Sequence, residues 1–154
     1  MTRRAKIVWL GVSMGLCVLG AVKTINACRC IGPSSPAEAY RPANAIVLAK
    51  VVQVEPRPEL GGFSVSLFIE RAWKSEVNQE FWITTGSGCL YVVEPERKYL
   101  LFLTRTPDKT FTTGQCMGNR PLAEGAKLIR WLDTTAKQAS VIPPTCHSCH
   151  SGLP

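Results

Sequence analysis

The chain of 154 residues carries 18 lysines and arginines against 11 acidic residues, a formal net charge of +7, and 45% of its residues are hydrophobic. This length suffices for one domain with its own core and is too short for two. Four of the basic residues lie within the first 23 positions, and without these four charges the net charge falls from +7 to +3. So small an excess argues against a nucleic-acid-binding protein.

The first 27 residues are typical of a secretory signal peptide. Three basic residues precede an apolar run from Ile7 to Val22, and Ala27 ends a short polar segment. As a helix, that run spans about 24 Å, less than the roughly 30 Å hydrocarbon core of a bilayer, which argues against an uncleaved anchor. We therefore predict cleavage after Ala27 and an exported protein, secreted or in the periplasm and cell envelope.

The same junction supports a second interpretation. Ile25-Asn26-Ala27-Cys28 resembles a bacterial lipobox, in which the cysteine receives a lipid after cleavage. Contact with a membrane is then expected only through the signal peptide or through this lipid anchor.

Six cysteines follow the signal peptide. An even number in an exported chain indicates disulfides rather than reduced thiols, although the number alone does not fix the pairing. They are Cys28, Cys30, Cys89, Cys116, Cys146 and Cys149.

The predicted elements begin with a short helix and two long strands. Pro36–Tyr40 fits one or two helical turns, with Ser35 as the N-cap. Ala45–Val54 is rich in β-branched residues and long enough to bend within a barrel. From Phe63 onward apolar and polar residues alternate to Ile69, and the strand is expected to continue to Trp73. The side chains expected on its inner face are Phe63, Val65, Leu67 and Ile69.

Three further strands and a longer helix complete the predicted domain. The strands are 80–85, 98–104 and 110–113, and the second is apolar enough to be buried on both sides. Leu122, Ala126 and Ile129 recur at helical spacing within a helix from Pro121 to Leu132. Since no βαβ rhythm is present, we predict a mainly β domain over 28–133, a closed five-stranded barrel flanked by the two helices. Residues 134–154 are expected to form a tail.

Several short motifs in this framework resemble the N-terminal domain of the tissue inhibitors of metalloproteinases, which are netrin-like modules with an OB-type barrel. The resemblance covers about Cys28 to Leu132. Its motifs are Cys28-Arg29-Cys30, Ala39-Tyr40 before the first strand, Trp73-Lys74, Ser87-Gly88-Cys89, Lys98-Tyr99-Leu100 and Thr112-Thr113-Gly114-Gln115-Cys116.

The resemblance implies a pairing and a mechanism. The implied disulfides are Cys28–Cys89 and Cys30–Cys116. It further implies that the α-amine and carbonyl of an N-terminal Cys28 chelate the zinc of a target metalloprotease, the expected partner. Arg29 would then enter the specificity pocket of the protease. The implied contact residues around it are Cys30, Ile31, Ser87 and Gly88.

Two departures from the family modify these expectations. The family has a small or β-branched residue at the place of Arg29, and an arginine is costly to bury in an apolar pocket, so the expected pocket is wide or acidic. A family cysteine close to Tyr40 and Arg41 is also absent, which removes one bridge.

The last motif is Cys146-His147-Ser148-Cys149-His150, a C-x-x-C-H. This pattern fits a plain Cys146–Cys149 disulfide, a zinc or other metal site, or covalent haem with His150 as axial ligand; we expect the disulfide and no cofactor. Both histidines of the chain lie here, so the barrel has no imidazole for nucleophilic catalysis and we do not expect an enzyme. The alternative to an inhibitor is a structural or binding module of the envelope, anchored through a lipid on Cys28.

Overall fold

The computed structural model describes residues 30–85, 89–136 and 138–144. No helix in these ranges is long and apolar enough to cross a membrane. The helices are α1 (Pro36–Tyr40) and α2 (Leu122–Thr135). The strands are β1 (Ala45–Arg57), β2 (Gly62–Trp73), β3 (Val77–Asn78), β4 (Glu80–Thr85), β5 (Lys98–Arg105), β6 (Phe111–Thr113), β7 (Arg120–Pro121), β8 (Gln138–Ala139) and β9 (Val141–Ile142).

Five of the strands close into a barrel, which confirms the predicted fold class. Their order around the barrel is β1-β2-β4-β6-β5, and β5 pairs again with β1 to complete the circle. Neighbouring strands are antiparallel except β4 and β6, which run parallel. The chain is therefore mainly β, with a mixed, closed five-stranded barrel of the OB type.

The interior of the barrel is filled by the alternate side chains of its long strands. Val65, Leu67 and Ile69 are fully buried there, as the alternation predicts, and Phe63 packs against the same cluster. β1 contributes four inward residues and β5 three. These are Ala45, Val47, Ala49 and Val51 from β1, and Tyr99, Leu101 and Leu103 from β5.

A second apolar layer lies between the outside of the barrel and the helices. Ile46, Leu100 and Phe102 point outward from β1 and β5 into this layer and are completely buried. The last residues of α2 add Leu132, which is also completely buried. β5 is thus covered on both faces, and this explains why its sequence is almost uninterruptedly apolar.

The two helices lie close to their predicted positions. Ser35 caps α1 by accepting a hydrogen bond from the Glu38 amide at 3.3 Å. In α2 the small residue that faces the barrel is Gly125, whereas Ala126 is exposed. The expectation for Ala126 was therefore wrong by one position. Gly125 is the residue that lies close to Leu100, where the helix carries no bulky side chain.

The C-terminal part is more closely joined to the barrel than a tail would be. α2 continues to Thr135, β8 pairs with the end of β2, and β9 pairs in parallel with β3. Asp133 accepts hydrogen bonds from Arg71 and from the indole of Trp73, the latter at 3.2 Å. Within the described residues, strand pairing thus continues about ten residues beyond Asp133. Two-residue strands leave no periodic pattern in a sequence.

Candidate functional site

The candidate site lies where the N-terminal segment is tied to the barrel. Cys30 forms a disulfide with Cys116, with the two Cα atoms 5.2 Å apart and 86 positions separating them in sequence. This pairing is confirmed. In the loop-entropy treatment, closing a loop of this length stabilises the fold by about 4–5 kcal/mol. The bridge fixes the chain at Cys30 against the 3-10 helix Gln115–Met117, which is one turn long.

Cys89 joins the same cluster. It is disulfide-bonded as well, and its sulfur lies within 4.8 Å of the sulfurs of Cys30 and Cys116. Its carbonyl accepts a hydrogen bond from the Gln115 amide at 2.9 Å. Disulfide sulfur lacks the thiolate charge that binds zinc, so the oxidised cluster offers no thiolate ligands to a metal ion. The expected pairing of Cys28 with Cys89 lies outside the described residues.

The loop that carries Cys116 is held by Asn119, a residue that sequence reasoning missed. Its Oδ1 accepts from the Phe102 amide at 2.8 Å, and its Nδ2 donates to Thr113 Oγ1 at 2.8 Å and to the Gly114 carbonyl at 2.9 Å. Thr113 Oγ1 in turn donates to the Phe102 carbonyl at 2.7 Å. One side chain thus connects β5, β6 and the turn, and it fixes the position of the Cys30–Cys116 bridge.

After the bridge the N-terminal segment leaves the surface for two residues. Ile31 is 97% exposed, and no atom lies within 4 Å of a Cβ built on Gly32. The segment returns at Pro33, whose Cγ lies 3.1 Å from the position of a Cβ on Gly118. Gly118 has a φ of 94°, so this contact needs a glycine. Ile31 is therefore an apolar side chain presented to solvent between two fixed points.

Hydrogen bonds fix the residues that follow. Glu38 Oε2 accepts from the amide and the hydroxyl of Ser34, both at 2.7 Å. Together with the Ser35 cap this ties the segment to the first turn of α1. These hydrogen bonds hold the pKa of Glu38 below its usual range, with the Ser34 hydroxyl as the largest cause.

Lys74 anchors the other end of α1. Its Nζ donates to the carbonyls of Tyr40 at 2.8 Å and Arg41 at 3.0 Å, and it lies 4.5 Å from the centre of the Tyr40 ring. To reach them, Lys74 adopts a φ of 76° directly after β2. A cation at the C-terminus of a helix is favourable, so Lys74 links α1 to the barrel.

The predicted site residues fall into two groups. Cys30, Ile31, Cys89 and Cys116 are brought together at one end of the barrel. Both residues that flank 86–88 are anchored: Thr85 Oγ1 accepts from the Phe63 amide at 3.2 Å, and Cys89 accepts from Gln115. The predictions that lie outside the described residues are those for Cys28, Arg29, Ser87, Gly88, Cys146, Cys149 and His150.

Comparison with models of known protein families gives no match for this chain, and comparison with curated proteins gives none either.

Proposed function

We propose that this protein is exported and inhibits zinc metalloproteases through its N-terminal segment. The observation that carries the proposal is the presentation of Ile31, an apolar side chain that is 97% exposed one residue after a disulfide. A partner that covers this side chain would remove its apolar surface from water, which favours association. Because the segment is already fixed at Cys30 and at Pro33, docking it into a cleft loses little conformational entropy.

The chemistry proposed for the chain terminus is chelation. In a chain that begins at Cys28, the α-amine and the carbonyl oxygen of one residue can bind one zinc ion and close a five-membered ring. They would replace the water that occupies the open position of a catalytic zinc. An α-amine has a pKa of about 8, so a useful neutral fraction exists near pH 7. The resemblance to the metalloproteinase inhibitors supports this role for Cys28.

Arg29 sets the expected class of target. A guanidinium in an apolar pocket loses its hydration without compensation, whereas a carboxylate in the pocket would pair with it. The proposed partner is therefore a zinc protease whose specificity pocket is wide or acidic.

The test compares three forms of the protein against a panel of zinc proteases. The first begins at Cys28, the second carries one additional alanine before Cys28, and the third begins at Cys28 with Ile31→Ala. The additional alanine converts the amine into an amide, a poor ligand, so inhibition should fall by orders of magnitude. Ile31→Ala should weaken inhibition about tenfold or more if this side chain is a principal contact.

Ile142→Ala is the matched control, because Ile142 is also exposed, at 45%, but lies on β9. Its inhibition constant should equal that of the parent, and all forms should keep the parent melting temperature. Equal inhibition by the alanine-extended form would exclude chelation. Absence of inhibition by the form that begins at Cys28, across proteases with apolar, wide and acidic pockets, would refute the proposed function.

A further inference from the structure

Three cysteine sulfurs lie side by side at one end of the barrel. The Sγ atoms of Cys30, Cys89 and Cys116 are all within 4.8 Å of one another. Sulfurs that bind one metal ion at about 2.3 Å lie about 3.8–4 Å apart, so the three side chains are already close to the spacing of a metal site. In the oxidised chain all three sulfurs belong to disulfides, so such a site exists only in the thiol form.

Contacts that do not involve sulfur position two of the three cysteines. The Cys89 carbonyl accepts a hydrogen bond from the Gln115 amide at 2.9 Å, which places Cys89 beside the residue that precedes Cys116. The turn that carries Cys116 is fixed by Asn119, whose Nδ2 donates to the Gly114 carbonyl at 2.9 Å. Reduction of a disulfide removes none of these hydrogen bonds. Cys89 and Cys116 should therefore stay adjacent in the thiol form.

The N-terminal segment keeps Cys30 close to them. Three residues after Cys30, the Cγ atom of Pro33 lies 3.1 Å from the position of a Cβ on Gly118. The segment is thus packed against the barrel independently of its bridge. The Cα atoms of Cys30 and Cys116 are 5.2 Å apart, so rotation of the two side chains is enough to move their sulfurs from bonding distance to metal-binding distance.

The donor atoms at this place select a thiophilic ion. Thiolates bind Zn²⁺ and Cu⁺ well, whereas Ca²⁺ and Mg²⁺ take oxygen ligands. The concave surface beside Cys89 and Cys116 is lined by uncharged residues, so the lining that the structure describes offers no carboxylate to an oxygen-seeking ion. Cys116 is exposed while Cys30 and Cys89 are half-buried, so an ion can reach the cluster from the side of Cys116.

We propose that Cys30, Cys89 and Cys116 in their thiol form bind one thiophilic metal ion, Zn²⁺ or Cu⁺, as three thiolates. The thiol form is that of the chain before oxidation. A dithiol restores it from the disulfides: for each bridge the dithiol gives up two electrons and two protons and itself becomes a disulfide. On metal binding each of the three thiols releases one proton to solvent. The bound ion then joins the N-terminal segment to the barrel in place of the Cys30–Cys116 bridge.

The test titrates the full-length chain, reduced with a phosphine, with Zn²⁺ and with Cu⁺, each in competition with a chromophoric chelator. The chain carries Cys146→Ser and Cys149→Ser, since the C-x-x-C-H motif would bind the same ions. Cys28 has no free α-amine in the full-length chain, so the chelation proposed for a chain that begins at Cys28 contributes nothing. We expect one equivalent of at least one ion to bind and to raise the melting temperature of the reduced chain.

Two controls separate the three-thiolate site from other ligands. The oxidised chain has the same sequence and should bind neither ion. In the reduced chain, where a substitution removes no bridge, Cys30→Ser, Cys89→Ser and Cys116→Ser should each weaken binding about a hundredfold or more, and Cys17→Ser should leave it unchanged. Absence of binding by the reduced chain, equal binding by the oxidised chain, or full affinity in Cys116→Ser would each overturn the proposal.

Discussion

Replacement of Gly125 by alanine should stabilise this protein. Gly125 is the fourth residue of α2 and is buried. A glycine within a helix costs roughly 0.5–1 kcal/mol relative to alanine, because glycine loses more backbone freedom on folding. A Cβ at this position would lie 3.7 Å from Ile129 Cδ1 and 3.7 Å from Leu100 Cβ, which is ordinary van der Waals contact. The methyl group therefore fits without displacement of either neighbour.

We expect Gly125→Ala to raise the free energy of unfolding by about 0.5–1 kcal/mol. For a domain of this size that corresponds to an increase of about 2–5 °C in melting temperature. Chemical denaturation followed by circular dichroism provides the measurement, with the denaturant slope unchanged.

Gly118→Ala is the contrasting variant. At a φ of 94° a Cβ would lie 3.1 Å from both Ala39 Cβ and Pro33 Cγ, so alanine should cost about 1–2 kcal/mol or more. Gly32→Ala, with no atom within 4 Å of the new Cβ, should change stability little. A decrease in stability for Gly125→Ala, or no loss for Gly118→Ala, would refute the packing derived for α2 and the N-terminal segment.

Three further predictions concern Asn119, Tyr91 and the C-terminal strands. Asn119→Ala should lower the free energy of unfolding, measured by urea titration, by about 2–3 kcal/mol, because it leaves the Phe102 amide without its acceptor. Asn44→Ala loses one exposed hydrogen bond to the Arg105 amide and should cost under about 1 kcal/mol. Equal costs for the two variants would contradict the role of Asn119. Burial raises the pKa of Tyr91 from 10.0 to about 12, with the neighbouring Tyr99 contributing. The fold therefore favours the neutral phenol of Tyr91. Its contribution to the free energy of unfolding is complete below pH 10 and is lost as the pH rises towards 12. Ultraviolet titration should show a late tyrosinate step that is absent in Tyr91→Phe. Ending the chain after Ala136 removes β8 and β9 and should lower stability by about 1–3 kcal/mol, whereas an unchanged melting temperature would show that residues 138–142 are a tail.

The barrel could be predicted because the residue pattern of each long strand indicates which of its faces are buried. The alternation from Phe63 to Ile69 fixes which face of β2 is internal, and the unbroken apolar run of β5 requires cover on both sides. Ser35 and Pro36 mark the beginning of α1 by local chemistry alone. Each of these signals depends only on residues close together in sequence.

The missed features depend on partners that are far apart in sequence. Asn119 accepts from the Phe102 amide, 17 positions earlier, and Lys74 donates to carbonyls about 33 positions earlier, so neither role is visible in the neighbouring residues. An asparagine between glycine and arginine indicates only a turn. The N-terminal segment is an intermediate case, since the cysteines were recognised but the exposure of Ile31 follows from the path of the folded chain.

The closure of the barrel by β1 and β5 has a consequence for the order of events during synthesis. Ala45 pairs with Leu103, so nearly sixty further residues must be synthesised after the start of β1 before the strand that closes the barrel is available. Until then one side of β1 is an open, apolar edge that another chain could pair with. The Cys30–Cys116 bridge forms later still, since Cys116 follows β5 in the chain. Folding should therefore be slow relative to helical domains of this length, and newly made chains should be most prone to aggregation just before β5 docks.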